Sequence, residues 1–290
     1  YKLGSDDRQA IGASLRYFSL GEVQDNDEQS GATLMTLNPY EMALDISYSR
    51  KLSDAFSMAV ALRYIRSDQG ADPSAEMVPG NAFAADIAGY LERYVIMGQA
   101  EALWSFGFNI SNIGTKISYD GGNKNYFLPT KLAIGTGLLY PIDDYNQIGA
   151  YVDISKYLVP SEPQRTGTTE EDDQDYNDRV QEYNSMSSIG GMIKSFGDSP
   201  LGFKGELQEI MASIGVEYSY NQQFFVRGGY YYENQNMGNR QYFSFGAGFR
   251  MSVFQLDAAY LVSTVPSNPL DQTLRFSLSF DMDGIKNLFK

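Results

Sequence analysis

The densest set of chemistry-bearing side chains lies between residues 161 and 186. Eight acids, Glu162, Glu170, Glu171, Asp172, Asp173, Asp175, Asp178 and Glu182, stand there against Arg165 and Arg179, a net charge of −6. Inside the run, Asp173, Asp175 and Asn177 have the i, i+2, i+4 spacing with which a calcium loop presents its first oxygens. Such a loop also needs glycine at its sixth position and a bidentate glutamate at its twelfth, and this sequence has Asp178 and Asn184 there. The stretch reads as a solvated acidic segment whose hold on a cation is at most weak and adventitious. The adjacent carboxylates Asp143 and Asp144 fall in a tight turn rather than a pocket, so they are assigned no catalytic work.

The rest of the catalytic repertoire is narrow. Among 290 residues there is no histidine and no cysteine. Ser-His-Asp triads, Cys-His pairs, His-bearing zinc sites and disulfide frameworks are therefore all excluded. No enzyme activity, metal or cofactor is expected. The net charge of −14 repels nucleic acid, so no nucleic-acid partner is expected either. No apolar run approaches the ~18 residues that a membrane helix needs. The chain opens on YKLGSDDRQ, without a signal peptide.

What positions these residues is a set of extended ribbons. In residues 241–262, Phe243, Phe245, Ala247, Phe249 and Met251 alternate with Tyr242, Ser244, Gly246, Gly248 and Arg250. Near Met251–Val253 the phase flips, and Phe254, Leu256, Ala258 and Tyr260 become the apolar set. A period of two is the mark of a strand with unlike faces. The alternation occurs twelve times along the chain, as in Ile11, Ala13, Leu15, Tyr17, or Ile148, Ala150, Val152, Ile154. The opposite faces carry glycine, serine and mixed charges, among them Arg16, Asp45, Arg63, Asp86, Glu101, Asp153, Glu217, Arg227, Arg250, Asp257 and Arg275. Small residues suit a crowded concave interior, and charges of both signs can pair there.

The connections alternate long and short. The long ones cover roughly 21–40, 67–81, 112–129, 157–208, 234–239 and 263–271, and the short ones lie near 52–55, 93–100, 141–146, 221–222 and 251–252. A meander with all its long loops at one end is the pattern of an outer-membrane barrel, with short periplasmic turns and longer extracellular loops. Aromatic pairs near strand ends, such as Tyr17 with Phe18, fit interfacial girdles as well as they fit core packing. The expectation is an all-β, antiparallel up-and-down outer-membrane β-barrel, its apolar faces toward lipid and its charged faces toward the interior. It forms a single domain over 1–290, with a long extracellular loop at about 157–208. Because KLGSDD (2–7) matches the turn KLSD (51–54), a strand is expected to end just before Tyr1. The twelve strands present then belong to at least fourteen, and the chain lacks its beginning, signal peptide included.

Within 157–208, a short helix is expected from Asp175 to Met186. After it, Ile189, Met192, Ile193, Phe196, Leu201 and Phe203 are many apolar groups for an exposed loop. They fold over the barrel mouth as a lid or dock on a partner.

Four segments resemble the PorV family: DDRQAIGASLRYFSLGEV (6–23), KLSDAFSMAVALRYIRSD (51–68), GFKGELQEIMASIGVEY (202–218) and NPLDQTLRFSLSF (268–280). The resemblance implies a FadL-like outer-membrane barrel of fourteen strands in the type IX protein secretion system of Bacteroidota. It implies a protein that receives secreted substrates leaving the translocon channel and binds their C-terminal signal domains. It then delivers them to a cell-surface attachment complex with a signal-peptidase-like subunit. Ile189, Met192, Ile193, Phe196, Leu201 and Phe203 are the residues expected to touch translocon or cargo. The fold class alone leaves a FadL-like transporter of hydrophobic small molecules as the alternative.

Overall fold

A computed structural model describes residues 1–3, 7–26, 33–70, 77–122, 124–165, 167, 169–266, 268, 270–282, 284 and 285. The strands are β1 (Lys2–Leu3), β2 (Gln9–Ser19), β3 (Val23–Asn26), β4 (Thr33–Leu37), β5 (Tyr40–Lys51), β6 (Phe56–Asp68), β7 (Gly80–Met97), β8 (Ala100–Gly114), β9 (Lys131–Pro141), β10 (Asn146–Tyr157), β11 (Met211–Tyr220), β12 (Phe224–Tyr232), β13 (Tyr242–Met251), β14 (Phe254–Ser263) and β15 (Leu274–Phe280). Three helices, α1 (Glu170–Ser185), α2 (Ser188–Lys194) and α3 (Phe203–Gln208), lie between β10 and β11.

Thirteen strands hydrogen-bond in chain order in one sheet, and β3 with β4 makes a separate hairpin within the first long connection. All twelve expected strands form. The thirteenth is β1, where Lys2 pairs with Ala10 and Leu3 with Gln9. Residues 4–6 of the expected KLGSDD turn lie outside the described residues. The β3–β4 hairpin had no signal in the alternation.

The chain divides into two compact units, residues 1–89, 109–132 and 157–203, and residues 90–108, 133–156 and 204–290. In the first, the register sets Ala13, Ile46 and Leu62 side by side on one face. On the other face, Ser14, Asp45 and Arg63 form the neighbouring row. The turn after β5 is tight because the Leu52 and Ser53 amides both donate to the Phe56 carbonyl, while the Ser53 hydroxyl accepts from the Phe56 amide.

In the second unit the same rule holds across five strands. Val216, Gly228, Phe245, Tyr260 and Leu274 share one outer row. Glu217, Arg227, Gly246, Ala259 and Arg275 share an inner one. Phe243 and Phe245 are exposed while Ser244 and Gly246 between them are half-buried. Rows of exposed aromatic and branched side chains this long are prohibitive against water and natural against lipid tails. The hairpin between β11 and β12 turns on Asn221 and Gln222, with φ of +51° and +53°, the pair of left-handed residues that a primed turn demands.

Among the described residues, no helix is long and apolar enough to cross a membrane.

Candidate functional site

The inner face of the first unit is laid out by register. Ser14, Asp45 and Arg63 make one row, Arg16, Ala43 and Ile65 the next, and Phe18, Glu41 and Ser67 the third. Arg63 is the hub. Its Nε donates to Asp45 Oδ1 at 2.5 Å, its Nη2 to Asp86 Oδ2 at 3.0 Å and its Nη1 to Asn112 Oδ1 at 2.5 Å. The Ser14 hydroxyl adds a bond to Asp45 at 2.9 Å. A planar five-donor fork can serve three acceptors at once, which an ammonium cannot. Arg227 bridges two carboxylates in the second unit, with Nε on Glu217 and Nη1 on Asp257, each at 2.5 Å. Gly248 leaves the room, since a Cβ there would meet the Asp257 carboxylate and Arg227 Nη1.

Asn112 also steers the chain. At φ +60° its amide donates to Asp86 at 2.8 Å, its Nδ2 to the Pro129 carbonyl, and its own carbonyl accepts from the Thr130 hydroxyl at 2.7 Å. This left-handed residue turns the 112–129 connection back over the inner face. Ile117, Tyr119, Tyr126, Phe127 and Leu128 then roof a cavity of about 440 Å³, whose walls include Arg16, Phe18, Glu41 and Arg63. Phe18, for which the sequence leaves interfacial and packing roles equally open, lines this cavity. Register places it beside Glu41 on the inner face, and the roof supplies its apolar neighbours.

The described residues of 157–203 are held by contacts to the end of that roof and to one another. The Leu158 amide donates to the Thr130 carbonyl at 2.7 Å, and the Ser161 amide to Asp198 Oδ2 at 2.8 Å. The helix expected from Asp175 begins at Glu170. Its start is a capping box in which the Asp172 amide donates to Thr169 Oγ1 at 3.2 Å and the Thr169 amide to Asp172 Oδ2 at 2.9 Å. Glu171 and Asp172, in the first turn, meet the positive end of the helix dipole. Asp173, Asp175 and Asn177 lie within this helix, where every second residue points to a different side, so the calcium-like spacing does not converge. Asp173 pairs with Arg165, and Asp175 with Arg179 at 3.0 Å.

Phe127 is the pivot beneath. The Tyr183 ring meets it edge-on at 5.2 Å, the Lys116 ammonium lies 4.1 Å over its face, and α2 rests Gly191 against it and Pro160. Burial pushes the Tyr183 hydroxyl above its ordinary pKa and the Lys116 ammonium below its own. Lys194 of α2 pairs with Glu182 of α1 at 3.0 Å.

With Gly191 facing inward, Ile189 and Ile193 face outward. Of the six apolar residues singled out, Ile189 is 64 %, Ile193 71 %, Phe196 57 %, Leu201 62 % and Phe203 79 % exposed, while Met192 is half-buried. The structure thus displays these side chains, and the inward fold belongs to 112–129. Sequence reasoning missed Lys116, Phe127 and Thr169. Only Thr169 had a local signal, in the run Thr169-Glu170-Glu171-Asp172. At the base of the segment, in the second unit, Lys156 holds Glu206 at 2.6 Å and also Glu209, fastening α3 to the end of β10.

Comparison with known proteins places this architecture. A family model described as "Type IX secretion system protein PorV" matches residues 1–164. The chain belongs to this family. Its antiparallel meander is therefore that of an outer-membrane β-barrel, in the membrane by its strands, and its setting is the type IX secretion machinery. The function that goes with the family is protein secretion rather than catalysis. Among solved structures, an outer membrane channel from Pseudomonas putida F1 is similar at 12 % identity and a TM-score of 0.45, over 96 % of this chain and 98 % of that one. The Ralstonia pickettii toluene transporter TbuX is similar at 12 % identity and a TM-score of 0.40, over 96 % and 76 %. The P. putida toluene transporter TodX is similar at 8 % identity and a TM-score of 0.40, over 89 % and 73 %. No curated protein sequence matches the chain.

Proposed function

We propose that this protein binds secreted substrates of the type IX system through their C-terminal signal domains as they leave the translocon channel. It then carries them to the cell-surface attachment complex, where a signal-peptidase-like subunit acts. The observation that carries the reading is the display of Ile189, Ile193, Phe196, Leu201 and Phe203 on a segment outside the strands. Exposed apolar side chains on an ordered scaffold mark a protein-docking surface. Family membership supports a partner within the secretion system.

The test is retention of a purified type IX C-terminal signal domain by the detergent-solubilised barrel. Wild-type protein should retain it, and Ile193→Ser with Phe196→Ser should weaken retention at least tenfold with the strands unchanged by circular dichroism. A folded wild-type barrel that retains no signal domain overturns the proposal.

A further inference from the structure

The docking surface has a charged border, and that border defines its partner more narrowly. Three of the acids of α1 are already neutralised, Asp173 by Arg165, Asp175 by Arg179 and Glu182 by Lys194 of α2. Among the described residues, three more acids, Glu162, Glu171 and Asp178, are exposed and form no ion pair within 4 Å. Glu162 borders the same cavity of about 300 Å³ as Arg179, Glu182, Tyr183 and Lys194. Asp178 lies one helical turn before Glu182, on the side of α1 that reaches α2. The result is an apolar ridge, Ile189, Ile193 and Phe196, beside a segment whose acids outnumber its bases.

We infer that the surface recognises a protein face with an apolar centre and a lysine- or arginine-rich rim. The inference rests on the proposed docking role and adds the charge of the partner. Two alternative occupants fit less well. An anionic lipid surface is repelled by the acidic helix. A second copy of this chain would bring the same acids against themselves. Complementary rim charges act mainly on encounter, raising the association rate at low salt, while the buried apolar contacts set dissociation.

The experiment measures association and dissociation of a purified type IX C-terminal signal domain on the detergent-solubilised full chain, from low to high NaCl. For Glu162→Lys with Asp178→Lys, association at low salt should slow by about tenfold and its salt dependence flatten, with dissociation unchanged. For Ile193→Ser, dissociation should speed up and the salt dependence remain. Should the charge reversals leave both association and its salt dependence as in the wild type while Ile193→Ser still weakens binding, the cationic rim is wrong and the docking role stands. If neither variant alters a measurable complex, the domain binds elsewhere and both fail. Charge reversal that tightens binding reverses the sign of the inference and overturns it.

Discussion

Lys116 Nζ donates to the Asn184 carbonyl at 3.0 Å and to that of Tyr183 at 3.3 Å, so one ammonium from the 112–129 connection closes the C-terminal end of α1. The last carbonyls of a helix have no partner within it and carry the negative end of its dipole, and α1 has no basic residue of its own in its last turn. The same ammonium lies over Phe127, against which Tyr183 and Gly191 pack. Roof and docking segment are thus fastened at one point.

Replacing that ammonium should loosen the docking segment without touching the strands. Lys116→Met keeps the length of the side chain and removes the donors. About 1 kcal/mol should be lost locally, less than is usual for hydrogen bonds to a charged group because the contact is partly solvated. Hydrogen exchange of the amides in 176–194 should accelerate several-fold while those of β2, β5 and β6 keep their rates. Unchanged exchange in 176–194 would show that the Lys116 ammonium does not hold the segment.

Arg63 stands between two carboxylates on the inner face, with a side chain only 13 % exposed. Arg63→Met leaves Asp45 and Asp86 facing each other unpaired and should cost about 3–5 kcal/mol. Arg63→Lys should recover part of this, since a point charge cannot reach Asp45, Asp86 and Asn112 together. Urea unfolding from lipid vesicles measures both variants. Equal loss in both would mean that the fork geometry, not the charge, carries the whole effect.

Asp143 supplies the clearest pH dependence outside the strands. The Tyr145 amide, then the Asn146 side chain and amide, donate to its carboxylate, the amides at 2.8 Å, and hold its pKa below the ordinary value. A folded-state pKa below the unfolded one adds stability at pH above the unfolded value. That contribution is lost as pH falls through the folded value. Asp143→Asn should therefore exchange the Tyr145 and Asn146 amides faster than wild type at pH 7. The gap should narrow once the pH falls below the ordinary carboxylate range. A gap independent of pH rules out the carboxylate as its source.

The sequence made the strands legible and the docking segment only partly so, for a physical reason. Strand faces are written in a two-residue period, and register follows from it, so Phe245 and Asp257 could be assigned opposite sides from the alternation alone. The exposed apolar set at 189–203 could be found because it breaks that alternation outside a strand. The choice between lid and display could not be read there. It depends on Gly191 meeting Phe127, a contact between segments 64 positions apart with no local trace. Lys116 and Asn112 were hidden for the same reason, since their roles exist only once 112–129 has folded inward. The β3–β4 hairpin is short and lies within a stretch read as loop.

The decisive physical test concerns which solvent the outer rows meet. Phe245 sits at the middle of β13, between Gly228 of β12 and Tyr260 of β14, in the exposed row. If that row faces lipid tails, Phe245→Arg places a cation near the bilayer midplane and should cost about 2–4 kcal/mol. Phe224→Arg, at the turn end of β12, should cost at most about 1 kcal/mol, because penalties fall toward the interface. Unfolding from lipid vesicles compares the two directly. A soluble sheet would give the reverse signature, with the exposed Phe245→Arg change tolerated in water and the purified chain staying in solution without detergent. Equal, small penalties at both positions would therefore remove the basis for placing these rows in the membrane.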